Sequence, residues 1–367
     1  MVPNLRFPEF QGEWEEERLA DIADLYKGTG ISKDQLSDDG EPCILYGELY
    51  TKYKSETIRE VISKTNIDNT KLVRSKANDV IIPCSGETAE DIATARCVLK
   101  CNILLGGDLN IIRLHGYDGT FMSYQLNGKR KYDIAKVAQG VSVVHLYGEH
   151  LKGVKTINPC LEEQKKIASL LALLDERIAT QNKIIDKLQS LIKGIRNKLF
   201  ENDKDWRTAK IREFLCIGNG KDYKHLDIGD IPVYGTGGKM LSVNDFLYDG
   251  DSVCIGRKGT IDTPLFLTGK FWTVDTLFYT YGFKDVLPKF CYYLFKQINW
   301  QLYNEGTGVP SLSKSTIENI KVRIPSIIQQ YKICYILDCY EDKIKNEGLI
   351  LDLYCSQKQY LLRQMFI

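Results

Sequence analysis

The sequence lacks the features that define several common protein classes. No run of about 18 apolar residues occurs, so no transmembrane helix is predicted, and the polar, acidic N-terminal stretch has no charged-then-apolar leader, so we expect the cytoplasm. The four histidines show no metal-ligand spacing, and the 11 cysteines contain no CxxC pair. A zinc site and a disulfide scaffold are therefore not predicted.

Enzymatic motifs are also missing. The GTGGKM run from Gly235 lacks the earlier glycine and the Ser/Thr of a phosphate-binding loop, and no GxGxxG follows a strand. The NPCL run from Asn158 lacks the second proline and the aromatic ring of the amino-methyltransferase signature. We therefore predict a non-catalytic chain that itself binds no cofactor. The net charge of +1 neither favours nor excludes nucleic-acid binding, which would need local basic patches.

One long amphipathic stretch, Leu161 to Phe200, is present. Its apolar positions recur in steps of three and four for about four heptads, which predicts a coiled-coil helix. At a rise of about 1.5 Å per residue the helix would be about 58 Å long and would need a partner. The predicted seam consists of Leu171, Leu174, Ile178, Gln181, Ile185 and Leu188, continued by Ile192, Ile195 and Leu199.

A second copy of this helix lies at the C-terminus, from Ile327 to Ile367. Shifted by 166 residues, the two segments match at Pro159 and Pro325, at Gln164 and Gln330, and at Leu171 and Leu337, among others. The duplication predicts that the two helices pair with each other. The second seam consists of Leu337, Tyr340, Ile344, Glu347, Leu351 and Tyr354.

The polar seam residues Gln181 and Glu347 sit near the two helix midpoints, and so face each other whether the helices run parallel or antiparallel. They are interpreted as a buried polar layer that fixes the register at some cost in stability. A hydrated layer without such a role is the alternative.

The rest of the chain is duplicated as well. Trp14 and Trp206 each open a half with a short amphipathic helix, and Gly28 matches Gly220. Tyr46 is aligned with Tyr234. The run NDVIIPCSGET is aligned with GDSVCIGRKGT, GGDLNIIRL is aligned with WTVDTLFYTY so that Asp108 lies over Asp275, and QGVSVVHL answers TGVPSLS just before each long helix.

Short β-rich runs with turn glycines, and helices predicted near 119–137 and 287–303, favour an α+β fold. The predicted segments are a first globular domain 1–157, a first long helix 158–201, a second globular domain 202–324 and a second long helix 325–367. A two-fold relation between the halves predicts antiparallel helices and globular domains at opposite ends of a rod. Such a rod exceeds one turn of duplex DNA, about 34 Å.

These runs together resemble the specificity subunits of type I restriction-modification systems, and the resemblance covers essentially the whole chain. The runs that carry it are Thr307 to Pro325, Asn158 to Ile178, GDIPVYGTGG, and GRKGT followed by FWTVDT. Two runs depart from the family pattern: the first half has VSVVHLYGEHLKGVKTINP, and the second helix begins with SIIQQ instead of the more typical LEEQ.

The resemblance implies that each half is a target recognition domain that reads one part of a bipartite site in double-stranded DNA. The two long helices would act as a ruler between these domains and would dock the methyltransferase subunits. It further implies a restriction subunit in the same assembly. S-adenosylmethionine, ATP and Mg²⁺ are expected in those partner subunits and not in this chain.

The strongest candidate for DNA contact is the GRKG turn. Its glycines allow close approach of the backbone, and Arg257 and Lys258 can reach phosphate or a guanine edge; a solvated basic turn is the alternative. In the first half Glu87 is aligned in place of a base and could accept a hydrogen bond from a cytosine amino group. The candidate DNA contacts are Arg257, Lys258, Gly259, Thr260, Tyr234, Thr236, Lys239, Tyr46, Glu48, Ser85, Gly86, Glu87 and Thr88.

Two other function classes remain open from the sequence. A single-chain methyltransferase or nuclease would bind S-adenosylmethionine or carry nuclease motifs, and the missing motifs disfavour it. A two-headed scaffold for protein partners would bind DNA weakly even beside a methyltransferase subunit.

Overall fold

The computed structural model describes residues 1–68, 70–140, 143–201 and 205–367. The chain divides into two compact units: unit 1 comprises Met1–Lys183 with Gly348–Ile367, and unit 2 comprises Ile184–Glu347. The sequence prediction treated the long helices as segments of their own. The structure instead gives each unit a globular part and one end of each long helix. Within the described ranges, no helix has both the length and the apolar character needed to span a membrane.

The globular part of unit 1 mixes short strands with short helices. Its strands are β1 (Glu15–Arg18), β2 (Ala23–Lys27), β3 (Leu36–Ser37), β4 (Glu41–Ile44), β5 (Thr57–Ile58), β6 (Ser63–Thr65), β7 (Asp79–Pro83), β8 (Ser85–Gly86), β9 (Arg96–Val98), β10 (Leu104–Leu105), β11 (Leu109–Leu114), β12 (Val144–His145) and β13 (Lys155–Asn158). Its helices are α1 (Leu19–Ile22), α2 (Glu48–Thr51), α3 (Ala89–Ile92), α4 (Gly119–Asn127), α5 (Lys131–Val137), α6 (Gly148–Lys152) and the first part of α7 (Leu161–Phe200).

Unit 2 has the same mixture. Its strands are β14 (Arg207–Lys210), β15 (Cys216–Asn219), β16 (Ile228–Gly235), β17 (Gly238–Val243), β18 (Tyr248–Asp249), β19 (Ser252–Gly256), β20 (Leu265–Leu267), β21 (Lys270–Thr273), β22 (Leu277–Tyr281) and β23 (Lys321–Ile324). Its helices are the end of α7, then α8 (Pro288–Phe295), α9 (Lys314–Asn319) and the first part of α10 (Ile327–Met365).

The sheets of the two units share their central strand pairings and differ in their edge strands. The main sheet has the order β2-β11-β7-β9-β5 in unit 1 and β15-β22-β19-β20 in unit 2. In the second sheet, β4 and β16 each have a parallel neighbour, β10 or β21, and an antiparallel neighbour, β6 or β17. Before each long helix an antiparallel pair, β1 with β13 or β14 with β23, closes the unit. The duplicated α+β fold predicted from the sequence is confirmed.

Gly28 and Gly220 occupy the same place in the two units. A Cβ atom on Gly28 would lie 2.0 Å from the carbonyl oxygen of Gly106, and one on Gly220 would lie 1.9 Å from that of Val274. Because only glycine leaves room for this close approach of backbone, both halves keep it. The match anticipated from the sequence is therefore structural in origin.

The short helix predicted after each tryptophan is smaller than expected. In unit 1, β1 comes first and only one helical turn, α1, follows. Unit 2 has β14 and then a single 3-10 turn, Ile211–Glu213. The first residues after each tryptophan pair with the strand that precedes the long helix, so strand hydrogen bonds replace helical ones.

The two predicted mid-domain helices are also interrupted. The segment 119–137 forms α4 and α5 with a break at Gly128, where the helix ends. In 287–303, α8 ends at Phe295 and a 3-10 turn follows from Trp300. The indole of Trp300 donates to the carbonyl of Phe295 at 2.9 Å and so occupies the acceptor at the helix end.

Each long helix is tied to its globular domain by the same glutamine. The Gln164 amide donates to the Pro159 carbonyl at 2.8 Å, and its oxygen accepts from the backbone N–H of Asp118 at 2.9 Å. Gln330 donates to Pro325 at 3.0 Å and accepts from Leu287 at 2.8 Å. Asp118 and Leu287 are the N-caps of α4 and α8, so each glutamine joins two helix starts.

Within each unit the beginning of one long helix packs beside the end of the other. In unit 1, Ile167 and Leu171 of α7 share a hydrophobic cluster with Met365 of α10. In unit 2, Leu337 of α10 packs with Leu199 of α7. The helices are therefore antiparallel, and the predicted helix bounds agree with α7 and, to within two residues, with α10.

The predicted seam positions form the covered side of both helices. Leu171, Leu174 and Leu337 are buried, as are the polar residues Gln181 in unit 1 and Glu347 in unit 2. The other seam positions are half-buried: Ile178, Ile185, Leu188, Tyr340, Ile344, Leu351 and Tyr354. The polar layer between Gln181 and Glu347 stays a prediction.

Candidate nucleic-acid interface

The glycine-basic loop of unit 2 is held on both sides by backbone hydrogen bonds. The amide of Arg257 donates to the carbonyl of Thr276 at 2.8 Å, and the amide of Gly259 donates to that of Pro310 at 2.8 Å. The amide of Leu312 returns a bond to the carbonyl of Arg257 at 2.9 Å. Gly259 has a φ of +94°, which favours glycine at this turn. The loop is thus fixed by β22 and by the 307–313 segment.

The 307–313 segment is the second part of this surface. Lys258 forms an isolated antiparallel bridge with Ser311. The amide of Ser311 donates to Oδ1 of Asn304 at 2.9 Å. The carboxylate of Glu305 accepts from the hydroxyl of Ser313 at 2.9 Å and also from that of Thr316. These hydrogen bonds, led by the one from Thr316, lower the pKa of Glu305. Two runs picked out separately in the sequence therefore form one rigid loop pair.

The hairpin between β16 and β17 approaches the same loop pair. A Cβ atom on Gly259 would lie 3.6 Å from Oγ1 of Thr236. Lys239 is exposed beyond the turn, whereas Tyr234 is half-buried on β16 beside β21. The predicted residues Thr236 and Lys239 therefore lie on the hairpin that approaches the loop pair, and Tyr234 lies on the strand that supports this hairpin.

The side chains of Arg257 and Lys258 are exposed, and Thr260 beside them is exposed as well. Among the described residues neither cation forms an ion pair, and the guanidinium of Arg257 lies 5.9 Å from the centre of the Phe278 ring. A pocket of about 410 Å³ opens between the loop pair and β22 and is lined by both cations. The arrangement offers unneutralised donors to an anionic or acceptor-rich surface.

In unit 1 the corresponding strand register differs from the sequence alignment. Pro83 lies opposite Leu109 on β11, and Gly256 lies opposite Leu277 on β22. Pro83 therefore occupies the place of Gly256, and the predicted alignment is wrong by one residue. In this register Asp108, which precedes Leu109, is not equivalent to Asp275, so the predicted match of the two aspartates is also wrong.

The corrected register changes the comparison of the two loops. The amide of Leu146 donates to the carbonyl of Cys84 at 2.9 Å, as that of Leu312 does to Arg257. Cys84 therefore takes the place of Arg257, and Ser85 takes that of Lys258. The prediction that Glu87 stands in place of a base is wrong. Unit 1 instead carries no base at either of the two loop positions that are basic in unit 2.

A second correction concerns the tyrosines. Ile44 pairs with Leu105, and Tyr234 pairs with Thr273, in equivalent parallel ladders. Tyr234 is therefore equivalent to buried Ile44, and Tyr46 is equivalent to Thr236. The predicted match of Tyr46 with Tyr234 is wrong by two residues. It relied on a Tyr-Gly dipeptide that both halves contain, and this dipeptide does not occupy the same position in the two strand ladders.

Tyr46 nevertheless lies near the predicted loop of unit 1, at the position that is equivalent to Thr236 in unit 2. Its exposed side chain lines a cleft of about 830 Å³ together with Ser85, Gly86 and Glu87. The hydroxyl of Tyr50, on the wall of that cleft, donates to the carbonyl of Ser85 at 3.1 Å. The two predicted loops of unit 1 thus meet at one cleft, as those of unit 2 meet at one loop pair.

Two other predicted contacts serve the fold. Glu48 is buried, accepts from the amide of Leu45 at 2.9 Å and from Lys52 Nζ at 2.7 Å, and binds the hydroxyl of Ser63. Its carboxylate is thereby satisfied by partners inside unit 1. The hydroxyl of Thr88 caps α3 by accepting from the amide of Asp91 at 3.1 Å.

His145 was not predicted from the sequence as a contact residue. In unit 1, β8 pairs with β12 so that His145 lies opposite Ser85, and the Ser85 hydroxyl lies 3.3 Å from Nδ1 of the imidazole. The QGVSVVHL run contains this histidine. Its match to TGVPSLS was predicted, but no role was predicted for its side chains. Among the described residues, no cluster of His, Cys, Asp and Glu could hold a metal ion.

The globular part of unit 1 is fastened to both long helices by a buried ion cluster. Lys358 of α10 lies 2.6 Å from Asp175 of α7 and 2.7 Å from Glu56. The hydroxyl of Tyr124 on α4 donates to Asp175 at 2.6 Å. Burial raises the pKa of Glu56, and Lys358 opposes this shift. The cluster therefore joins Glu56 and α4 of the globular part to both long helices.

Comparison with known proteins agrees with this architecture. The model of the type I restriction modification DNA specificity domain matches residues 11–190 and 203–352. The type I restriction enzyme MjaVIII specificity subunit of Methanocaldococcus jannaschii is 28% identical over 238 residues, which are 60% of this chain and 53% of that protein. The matched chain thus spans about half the length of this curated relative.

Two solved structures have the same fold. The S subunit of a type I restriction-modification system from M. genitalium superposes with a TM-score of 0.70, at 20% identity, over 100% of this chain and 99% of that chain. A structure described as the basis of complex assembly and conformational transition of the type I R-M system has a TM-score of 0.59, at 12% identity, over 98% of each chain. By the extent of the family match, the chain belongs to the type I restriction modification DNA specificity domain family.

Proposed function

We propose that this chain is the DNA-recognition subunit of a type I restriction-modification enzyme and that it is not itself catalytic. Each unit reads one half of a bipartite site in double-stranded DNA. The observation that carries the proposal is the loop pair that recurs in both units on the same strands, formed by Lys258 with Ser311 and by Ser85 with His145. Recurring backbone hydrogen bonds that carry different side chains suit the recognition of two different half-sites.

The long helices support a spacer role. They contain 40 and 39 residues, which at about 1.5 Å per residue corresponds to about 60 Å of continuous helix. One turn of duplex DNA is about 34 Å. Helices of this length suit recognition of two half-sites separated by a fixed gap.

We further propose that the helices dock methyltransferase subunits and, through them, a restriction subunit. In unit 2, α10 exposes Ile328, Tyr331 and Tyr335 on one face, with relative exposures of 66%, 62% and 72%. Exposed aromatic side chains in one patch are typical of protein interfaces. S-adenosylmethionine, ATP and Mg²⁺ belong to those partners in this proposal, and the complex acts on DNA in the cytoplasm.

The proposal is tested by single-molecule sequencing of DNA from cells that carry the methyltransferase subunit with and without this chain. The expected result is a bipartite motif with a fixed gap, methylated only when the chain is present. A strain that carries the chain without the methyltransferase subunit is the matched control and should show no new methylation.

Absence of any new motif although the two proteins copurify and the complex is folded would contradict the recognition role. Methylation by this chain alone would contradict its assignment as non-catalytic.

A further inference from the structure

The two units hold the same loop pair but exchange the side chains across it. In unit 2 the loop that follows β19 carries the cation, Lys258, and the opposite segment carries a hydroxyl, Ser311. In unit 1 the hydroxyl is on the first segment, as Ser85, and the opposite strand carries an imidazole, His145. The group able to bear positive charge has therefore moved to the other side of the same bridge.

Two backbone hydrogen bonds at the bridge recur in both units: the amide of Cys84 donates to Asp108 as that of Arg257 does to Thr276, and the amide of Leu146 donates to Cys84 as that of Leu312 does to Arg257. His145 and Gln139 exchange two backbone hydrogen bonds, of 2.7 and 2.9 Å, which fix the β12 segment. His145 is half-buried, next to exposed Val143 and Tyr147. Backbone hydrogen bonds of His145 and Leu146 therefore fix the position of the imidazole, which lies beside the cleft of unit 1.

The hydrogen bond from Ser85 suits both protonation states of the ring. A hydroxyl can donate to Nδ1 of the neutral imidazole, which leaves the proton on Nε2, or accept from Nδ1–H of the imidazolium. In both states Nε2–H remains a donor to an acceptor outside the protein. Only the positive charge of the ring differs between the two states.

The surroundings leave that charge unneutralised. The Tyr147 ring stacks on His145 at 6.2 Å, and His150 packs edge-on to Tyr147 at 5.5 Å. The nearest charges along α6, Glu149 and Lys152, pair with each other at 2.6 Å. Asp108, whose carbonyl accepts from the loop amide of Cys84, lies 3.9 Å from Lys27. In the described part of the chain, His115 is the one histidine that contacts a carboxylate.

We propose that His145 is the specificity-determining contact of unit 1, in the role proposed for Lys258 in unit 2. The imidazole donates from Nε2 to an acceptor on a purine edge in the major groove. This inference rests on the proposed function.

The test uses the complex with its methyltransferase subunit and DNA that carries the methylated motif. Binding is measured for DNA in which one half-site at a time is scrambled. His145→Gln replaces the ring that Ser85 and Tyr147 hold in place with a flexible amide. We expect about a 10-fold loss of discrimination at the unit 1 half-site, the size of one hydrogen-bonded base contact.

The controls separate local from general effects. His115→Gln, in the same unit, changes an exposed histidine that pairs with Asp24 and should leave both half-sites unaltered. Unit 2 discrimination within the His145→Gln complex reports that the variant is folded.

Degeneracy at one base position in the His145→Gln motif supports the base contact. Uniform weakening across sequences with a shallower salt dependence indicates a phosphate contact and overturns the specificity role. A wild-type complex with a bipartite motif whose unit 1 half is unchanged by His145→Gln also overturns the role of His145. A wild-type complex with no motif overturns the proposed function instead.

Discussion

Units 1 and 2 share their strand order and their helix-entry glutamines, but they differ in where they place charge. Unit 2 exposes Arg257 and Lys258 on its loop, whereas unit 1 has Cys84 and Ser85 there. Unit 1 instead buries charge between its globular part and its helices, at Lys358. Backbone hydrogen bonds therefore preserve the loop geometry while the side chains diverge. The duplication constrains the scaffold and leaves the contact surface free to change.

The largest difference in stability is expected at the anchor of unit 1. Lys358→Met leaves Asp175 and Glu56 buried without their cation, which should lower the free energy of unfolding by about 3–5 kcal/mol. The matched change in unit 2, Lys296→Met, breaks a pair with Glu341 at 2.8 Å whose side chains are about 30% exposed, so its effect should be about 1 kcal/mol or less. Urea unfolding of the purified chains measures both, and equal losses would contradict the comparison.

The same variant should become less destabilised in acid. Burial already raises the pKa of Glu56, and Lys358 lowers it; the variant loses that opposing charge, so the pKa rises further. A carboxyl with a raised folded-state pKa contributes stability below its unfolded value, about 4.3, and loses it as the pH rises through the folded value. The deficit relative to wild type should therefore be smaller at pH 5 than at pH 8, and a larger deficit at pH 5 would refute this assignment.

Two glutamates of unit 1, both predicted from sequence to contact DNA, should separate clearly. Glu48→Ala removes a buried acceptor from the amide of Leu45 and should cost about 1–3 kcal/mol of stability. Glu87→Ala changes an exposed side chain and should stay within about 0.5 kcal/mol. Denaturant midpoints measure this, and a neutral Glu48→Ala would show that the carboxylate is not structural.

The smallest effects should appear in thiol reactivity, which probes both units without mutation. Burial raises the pKa of Cys97 and Cys254 to about 12 and that of Cys43 and Cys84 to about 11, so these thiols stay protonated and inaccessible at pH 8. Maleimide labelling of the native chain followed by peptide mass analysis should modify only the exposed cysteines: Cys101, Cys160, Cys216, Cys339 and Cys355. Rapid labelling of Cys254 or Cys97 would contradict the packed cores of the two units.

The sequence predicted the long helices well because their signal is local and repeated. Leu171, Leu174 and Ile178 lie on one face in any helix, so the seam follows from spacing alone. The match of Gln164 with Gln330 was equally secure, since both sit at a fixed distance from a proline. These features need no knowledge of what packs against them.

Strand register could not be obtained in the same way. The one-residue error at Ser85 and the two-residue error at Tyr46 arose in loops where glycine and tyrosine recur, and only the pairing with β11 or β10 settles them. Glu48 was misassigned because one of its partners, Ser63, lies 15 residues away. Non-local partners decide which polar side chains are buried and which remain exposed.

The double variant Arg257→Ala, Lys258→Ala shows whether each unit reads its own half-site through its loop pair. Genomic methylation by the complex that contains it is sequenced beside wild type and beside Ser85→Ala, which changes the position in unit 1 that is equivalent to Lys258. The double variant should relax or lose one half of the bipartite motif and retain the other half and the gap. Methylation of the full wild-type motif by the double variant, at undiminished frequency, would rule out this role of the loop pair.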